Sequence, residues 1–82
     1  MPDVEEECEQ LVKEIARIAG DKKNSNDKTF CTYGELFDDD VVQNTFEALM
    51  GTLKAAKKRK LINYEGQLLL QGVHNAVEIE IL

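Results

Sequence analysis

The fold is decided by residues 40–64, DVVQNTFEALMGTLKAAKKRKLINY, where the spacing of the apolar side chains changes once. Up to Lys60 the apolar residues recur every three or four positions, which is the period of an amphipathic helix. These residues are Val42, Phe46, Leu49, Met50, Leu53 and Ala56. From Leu61 onward the period falls to two, as in a strand. The segment therefore predicts one helix of about 20 residues, roughly 30 Å long, followed directly by a strand over residues 61–64.

Charged residues at both ends agree with this long helix. Three aspartates at residues 38–40 precede it, and Asp40 with Gln43 fits a capping box. Calcium loops need oxygen ligands at alternating positions around a glycine, which the triplet lacks, so we interpret it as a cap rather than a metal site. At the other end, the cations of residues 54–60 interact favourably with the helix dipole.

The residues after the long helix predict a small antiparallel sheet. Glu65 and Gly66 have the composition of a tight turn, and residues 67–71 carry the three leucines of a second strand. Residues 72–76 interrupt the pattern. Residues 77–82 then alternate apolar and acidic side chains, which predicts a half-buried strand with charge on its outer face.

The N-terminal residues 4–20 predict another amphipathic helix. The side chains that share its apolar stripe are Val4, Cys8, Leu11, Val12, Ile15, Ile18 and Ala19. Asp3 and Glu6 fit a capping box at its start, and Gly20 is typical of a helix end. Its charged residues, including Glu14 and Arg17, fall largely outside the stripe, so we expect them to be solvated.

A polar loop, an edge strand and a short helix connect the two longer helices. Residues 29–32 favour an edge strand, and Thr32 is placed to cap a helix over residues 33–37, with Glu35 as its partner. The complete order of elements is the layout of a winged-helix domain. We therefore predict an α+β, winged-helix-like fold in one domain of residues 1–82, with three helices and a small C-terminal antiparallel sheet as the wing.

Several classes of protein are excluded by the sequence. The longest apolar runs have three residues, and the acidic N-terminus is unlike a secretory signal, so we expect a cytoplasmic protein with no membrane contact. Cys8 and Cys31 lack the paired spacing of a zinc site, and we interpret both as reduced core residues. His74 is accompanied by no nucleophile motif or glycine-rich phosphate loop. The sequence predicts no enzyme activity, no cofactor and no metal.

Positive charge is concentrated in one place. The chain has a net charge of −6, yet residues 54–60 hold five basic side chains and no acidic one. We call these five residues the basic cluster: Lys54, Lys57, Lys58, Arg59 and Lys60. One explanation is a solvated helix end, but the lysines repel one another at three- and four-residue spacing. We therefore favour a role in binding an acidic partner surface.

Gly51 lies in the middle of the predicted long helix, where glycine is less favourable than alanine by about 1 kcal/mol. With Ala48 and Ala55 it forms a narrow surface of small residues opposite the apolar stripe. Two explanations stay open. One is close packing against another helix of the same domain, and the other is close approach of a partner's backbone.

Three stretches of the chain resemble a known family. They are TYGELFDDD at residues 32–40, FEALMGTLKAAKKRK at residues 46–60 and GQLLLQGVHNAVEI at residues 66–79. They resemble the costars family, which is similar to the C-terminal actin-binding domain of the striated-muscle activator of Rho signalling. The resemblance covers residues 32–82 closely and the N-terminal helix more loosely.

The resemblance implies a cytosolic, winged-helix-like domain that associates with actin or an actin-associated protein and influences cytoskeletal organisation and cell motility. It also implies a contact surface, made by the basic cluster with Gln71, Gly72 and His74 from the side of the wing. We expect a monomer. Two alternatives remain: a nucleic-acid-binding winged helix, which the negative net charge disfavours, and a protein adaptor that uses the surface around Gly51.

Overall fold

The computed structural model describes residues 4–66 and 72–82, and its elements follow the predicted order with one additional helix. The helices are α1 (Val4–Ala19), α2 (Tyr33–Asp38), α3 (Asp40–Thr45) and α4 (Leu49–Lys58). The strands are β1 (Phe30–Thr32), β2 (Ile62–Asn63) and β3 (Glu78–Ile81). The predicted α+β class with a small antiparallel sheet is confirmed. The prediction of three helices is wrong, because the described residues form four.

β3 is the central strand of the sheet. It pairs antiparallel with β1 on one side and with β2 on the other, and Cys31 lies opposite Ile79. The predicted strand is confirmed over Glu78–Ile81, and its alternation is clear at the exposed Glu78 and the fully buried Ile79, whereas Glu80 and Ile81 are both half-buried. β1 lies at an edge, as predicted. The second hairpin strand predicted over residues 67–71 lies outside the described residues.

The core forms where α1 packs against α4 and the sheet. The buried residues of α1 are Cys8, Leu11, Glu14, Ile15 and Ala19. Gly20 follows the helix with a φ of +59°, a left-handed conformation that glycine adopts without steric penalty. The predicted helix and its glycine stop are thus confirmed, whereas Asp3, its predicted cap, lies outside the described residues.

Both cysteines are fully buried free thiols, as predicted. Cys8 enters the core from α1 and Cys31 from the edge strand β1. Burial disfavours the charged thiolate, and it raises the pKa of Cys31 to about 12. These thiols therefore act as small apolar groups in the core.

The prediction that Glu14 is solvated is wrong. Glu14 is only 8% exposed, and its carboxylate accepts a hydrogen bond of 2.7 Å from Arg17 Nε. Arg17 Nη2 also donates to Asp39 Oδ1 at 2.7 Å, so one guanidinium connects α1 to the junction between α2 and α3. Because a paired carboxylate is less costly to bury than an isolated one, Glu14 can lie on the inner side of α1.

The single helix predicted over residues 40–60 is wrong. α3 ends at Thr45, the backbone is extended at Phe46 (φ −111°, ψ 116°), and α4 begins at Leu49. Residues 41–45, VVQNT, are weak helix formers, because β-branched side chains are restricted in a helix and Asn and Thr compete for backbone hydrogen bonds. The break accompanies burial of the Phe46 side chain, which is 5% exposed, and this burial offsets lost helical hydrogen bonds.

The helix start predicted at Asp40 also shifts. Asp39 is the N-cap of α3, and its carboxylate accepts a hydrogen bond from Val42 N at 3.1 Å. Gln43 instead donates its side-chain amide to the Phe37 carbonyl. The predicted capping box of Asp40 and Gln43 is therefore wrong, because Asp39, one position earlier, is the N-cap of α3.

The capping box predicted for α2 is confirmed. Thr32 Oγ1 accepts a hydrogen bond from Glu35 N at 3.2 Å, and Thr32 N donates to Glu35 Oε1 at 3.1 Å. Lys22 Nζ lies 2.6 Å from Glu35 Oε2. The bond from Lys22 is the main reason that the pKa of Glu35 is lowered from its ordinary value of 4.5.

We predict that Glu35→Gln destabilises the fold near neutral pH by about 0.5 kcal/mol, a small effect because the ion pair is partly solvated. With its folded-state pKa lowered, the Glu35 carboxylate stabilises the fold above pH 4.5, and this stabilisation disappears as pH falls through the folded-state value. Urea unfolding at about pH 7 and about pH 3 measures the difference. Glu47→Gln, at an exposed position between α3 and α4, controls for loss of one surface charge. Equal destabilisation by Glu35→Gln at both pH values would contradict the role of the ion pair.

Candidate partner-binding surface

The basic cluster lies at the C-terminal end of α4. This helix buries Thr52, Leu53 and Ala56 and leaves its opposite side to solvent. Arg59 is its C-cap, and Lys60 then takes a left-handed conformation with a φ of +63°. The last carbonyls of a helix carry the negative end of its dipole, which nearby cations stabilise.

Four members of the basic cluster are exposed: Lys54, Lys58, Arg59 and Lys60. None of them forms an ion pair with any residue that the structure describes. Among the described residues, no carboxylate lies within ion-pair distance of these four cations, so only the helix dipole compensates their charge. The four cations are therefore available to an acidic surface of another molecule.

Lys57, the fifth member, differs from the other four because its ammonium group bonds within the molecule. Lys57 Nζ donates hydrogen bonds to the carbonyl oxygens of Tyr64 and Gly66, each at 2.7 Å. The same atom lies 4.3 Å from the centroid of the Tyr64 ring, a cation–π distance. Lys57 thus holds the turn after β2 against α4. Sequence reasoning missed this contact, because no local spacing signals that the turn folds back onto the helix.

Tyr64 combines a buried ring with an unpaired hydroxyl. The residue is 3% exposed, and its hydroxyl makes no hydrogen bond within the described chain. Burial also raises the pKa of Tyr64, because the phenolate would be poorly solvated. A buried hydroxyl without a partner costs about 1–3 kcal/mol of desolvation.

We predict that Tyr64→Phe raises the free energy of unfolding by about 0.5–1 kcal/mol, because it removes the unpaired hydroxyl and keeps the ring that contacts Lys57. Urea unfolding measures the change. Tyr33→Phe is the control, since the Tyr33 hydroxyl is not a buried unpaired group. A destabilisation above about 1 kcal/mol for Tyr64→Phe would show that the hydroxyl has a bonding role.

Of the three residues predicted to join from the wing, the structure describes Gly72 and His74, and His74 lies in a groove that the basic cluster does not line. Gln71 is outside the described residues. Gly72 is exposed with a φ of +84°, and its N–H donates to Asn75 Oδ1 at 2.8 Å. His74 lines a groove of about 650 Å³ together with Tyr64 and other residues. No member of the basic cluster lines this groove, so the turn after β2 is what connects the two surfaces.

Residues 4–66 and 72–82 contain neither a candidate membrane span nor a candidate metal site. No helix there has the length and apolar character needed to span a membrane. No group of three potential metal ligands comes together in the same residues.

Gly51 lies on the exposed side of α4. A Cβ atom at this position would lie 3.8 Å from the Ala48 Cβ, and among the described residues no other atom lies within 4 Å, apart from the two adjacent residues and the backbone of the helix itself. The first explanation for Gly51, packing against another helix of the domain, is therefore wrong. Approach of a partner's backbone stays a prediction.

We predict that Gly51→Ala raises the free energy of unfolding by about 0.5–1 kcal/mol, since alanine favours the helix and its methyl group meets open space. Gly34→Ala is the matched control and should destabilise, because its Cβ would lie 3.0 Å from the Asn75 Cβ and 3.2 Å from the Asn75 oxygen. Thermal or urea unfolding distinguishes the two. A destabilising Gly51→Ala would contradict an open surface at this position.

Comparisons with known proteins agree with one another. The model of the Costars family matches residues 3–82. Costars family proteins named ABRACL from Bos taurus and Danio rerio are 53% and 51% identical over 79 residues, which cover 96% of this chain and 95% of theirs. A Costars family protein from Arabidopsis thaliana is 53% identical over 76 residues, covering 93% of this chain and 78% of that protein. The solution structure of human HSPC280 protein matches 99% of this chain and 93% of its own, with a TM-score of 0.86 and 51% identity.

Proposed function

This chain belongs to the Costars family, and we propose that it is a non-enzymatic module that binds actin or an actin-associated protein. Its relatives are named Costars family protein ABRACL, and the resemblance of the costars family to an actin-binding domain supports this class of partner. The observation that carries the proposal is a group of exposed cations at the end of α4 in a chain of net charge −6. The family name supports the class of partner, and the cations support the place where it docks.

Charge complementarity explains why the end of α4 suits this role. The actin surface is acidic overall, and complementary charges speed encounter and orient the partner. Repulsion among the exposed lysines costs a few tenths of a kcal/mol per pair, and carboxylates placed between them would relieve it. Because exposed charges are screened within roughly 8 Å at physiological ionic strength, binding of this kind weakens as salt rises.

We further propose that the fold is a winged helix, with the turn after β2 as the start of the wing. The order of the sheet supports this, since β1, which lies between α1 and α2 in the chain, pairs with the C-terminal strand β3. We propose a cytoplasmic monomer that affects cytoskeletal organisation, cell motility and Rho signalling. Membership of the Costars family supports the actin-related part of this role.

A nucleic-acid-binding winged helix is the second candidate, favoured by the same exposed cations. The charge around them opposes it: Glu47 and Asp40 are exposed near the other end of the helical region, and the chain is acidic as a whole. A fluorescence-anisotropy titration with duplex DNA separates the candidates. Tight, salt-sensitive binding of DNA would favour this second function.

We predict that the wild-type protein co-sediments with actin filaments more strongly at about 50 mM than at about 150 mM salt. The double variant Lys54→Glu/Lys58→Glu should bind at least about tenfold more weakly at the lower salt, because two attractive charges become repulsive. The measurement is the bound fraction as a function of filament concentration.

Lys13→Glu/Lys28→Glu is the matched control for this experiment. It makes the same change in net charge at two exposed positions outside the basic cluster, one on α1 and one in the loop before β1. An equal loss of binding in the control would assign the effect to net charge rather than to the end of α4. Absence of wild-type pelleting at both salt concentrations would overturn direct binding to filaments.

A further inference from the structure

We infer that Lys57 is a positioning residue of the proposed binding surface rather than a contact, and that the turn it holds, residues 64–66, belongs to that surface. The inference rests on the proposed function and makes it more specific. Four cations of the basic cluster would then meet the acidic partner, while the fifth fixes the neighbouring turn beside them.

The hydrogen bonds of Lys57 carry the first step of the inference. An ammonium group has three N–H donors, and Lys57 uses two of them on the Tyr64 and Gly66 carbonyls at 2.7 Å. Hydrogen bonds from a charged donor are stronger than neutral ones, and the Tyr64 ring lies over the same charge at 4.3 Å. A partner carboxylate would have to compete with all three contacts to bind Lys57.

The position of the turn carries the second step. Lys57 follows the exposed Lys54 by three residues, so the two side chains are neighbours on one face of α4. Its two bonds hold both ends of the turn, whose middle residue Glu65 is exposed. The turn is therefore fixed next to the exposed cations, and a protein surface that covers the end of α4 would also reach the turn.

Removing a contact residue and removing a positioning residue have different effects on the salt dependence of binding. A cation that meets partner carboxylates adds to the salt dependence of binding, so removing it lowers both the affinity and that dependence. A cation that only holds a turn affects the affinity through geometry. Its removal lowers the affinity and leaves the salt dependence as in the wild type.

The test compares the wild type with Lys57→Met, Lys57→Arg and Lys58→Met in binding to actin filaments at about 50 mM and about 150 mM salt. We expect Lys58→Met to reduce both the affinity and the ratio of the two dissociation constants. Lys57→Met should weaken binding about three- to tenfold at both salt concentrations, with the wild-type ratio. Lys57→Arg should recover at least half of the affinity, because a guanidinium can also donate to two carbonyls.

Each result decides between the possibilities. Wild-type affinity for Lys57→Met would overturn the inference, since Lys57 would then be purely structural. A reduced salt ratio like that of Lys58→Met would also overturn it, since Lys57 would be a contact. Should Lys57→Met fail to fold, hydrogen exchange of the wild type decides: filaments should protect the amides of Glu65 and Gly66, and unprotected amides overturn the inference. A wild type that does not bind filaments overturns direct binding to filaments, which is the part of the proposed function on which this inference rests.

Discussion

The structure depends on the burial of one face of α1 against α4 and the sheet. A chain of 82 residues buries only about 60% of its extended surface, so it can maintain a single small core. Leu11 and Ile15 of α1, Leu53 of α4 and Ile79 of β3 are all fully buried in it. Because the inner face of α4 is committed to this core, its outer face remains in solvent, where charge and small residues are tolerated.

Charge is used in two ways at the end of α4. Lys57 is half-buried and ties the turn after β2 to the helix, whereas its neighbours face solvent. A similar division exists on α1, where Arg17 joins Glu14 and Asp39 within the fold. A cation that bonds to backbone or to a buried carboxylate stabilises the fold, and the remaining cations are the ones that we propose as partner contacts. Residue type alone would not separate these roles.

The elements that the sequence predicted correctly are those with local causes. Helix α1, strand β3 and the Thr32 capping box each depend on residues a few positions apart. The errors have tertiary causes. Phe46 keeps the helical spacing of its neighbours although the backbone there is extended, so periodicity could not reveal the break. The burial of Glu14 requires Arg17 and Asp39 together, and the contacts of Lys57 require the chain to fold back at Gly66.

Because Cys8 and Cys31 are fully buried free thiols, their alkylation would measure how often the core opens. Burial raises the pKa of Cys31 to about 12 and also raises the pKa of Cys8, so both thiols are disfavoured as the reactive thiolate and are shielded from alkylating reagents. Labelling must therefore wait for the core to open. Since Cys8 belongs to α1 and Cys31 to the edge strand β1, the order in which they are modified would distinguish detachment of the helix from fraying of the sheet.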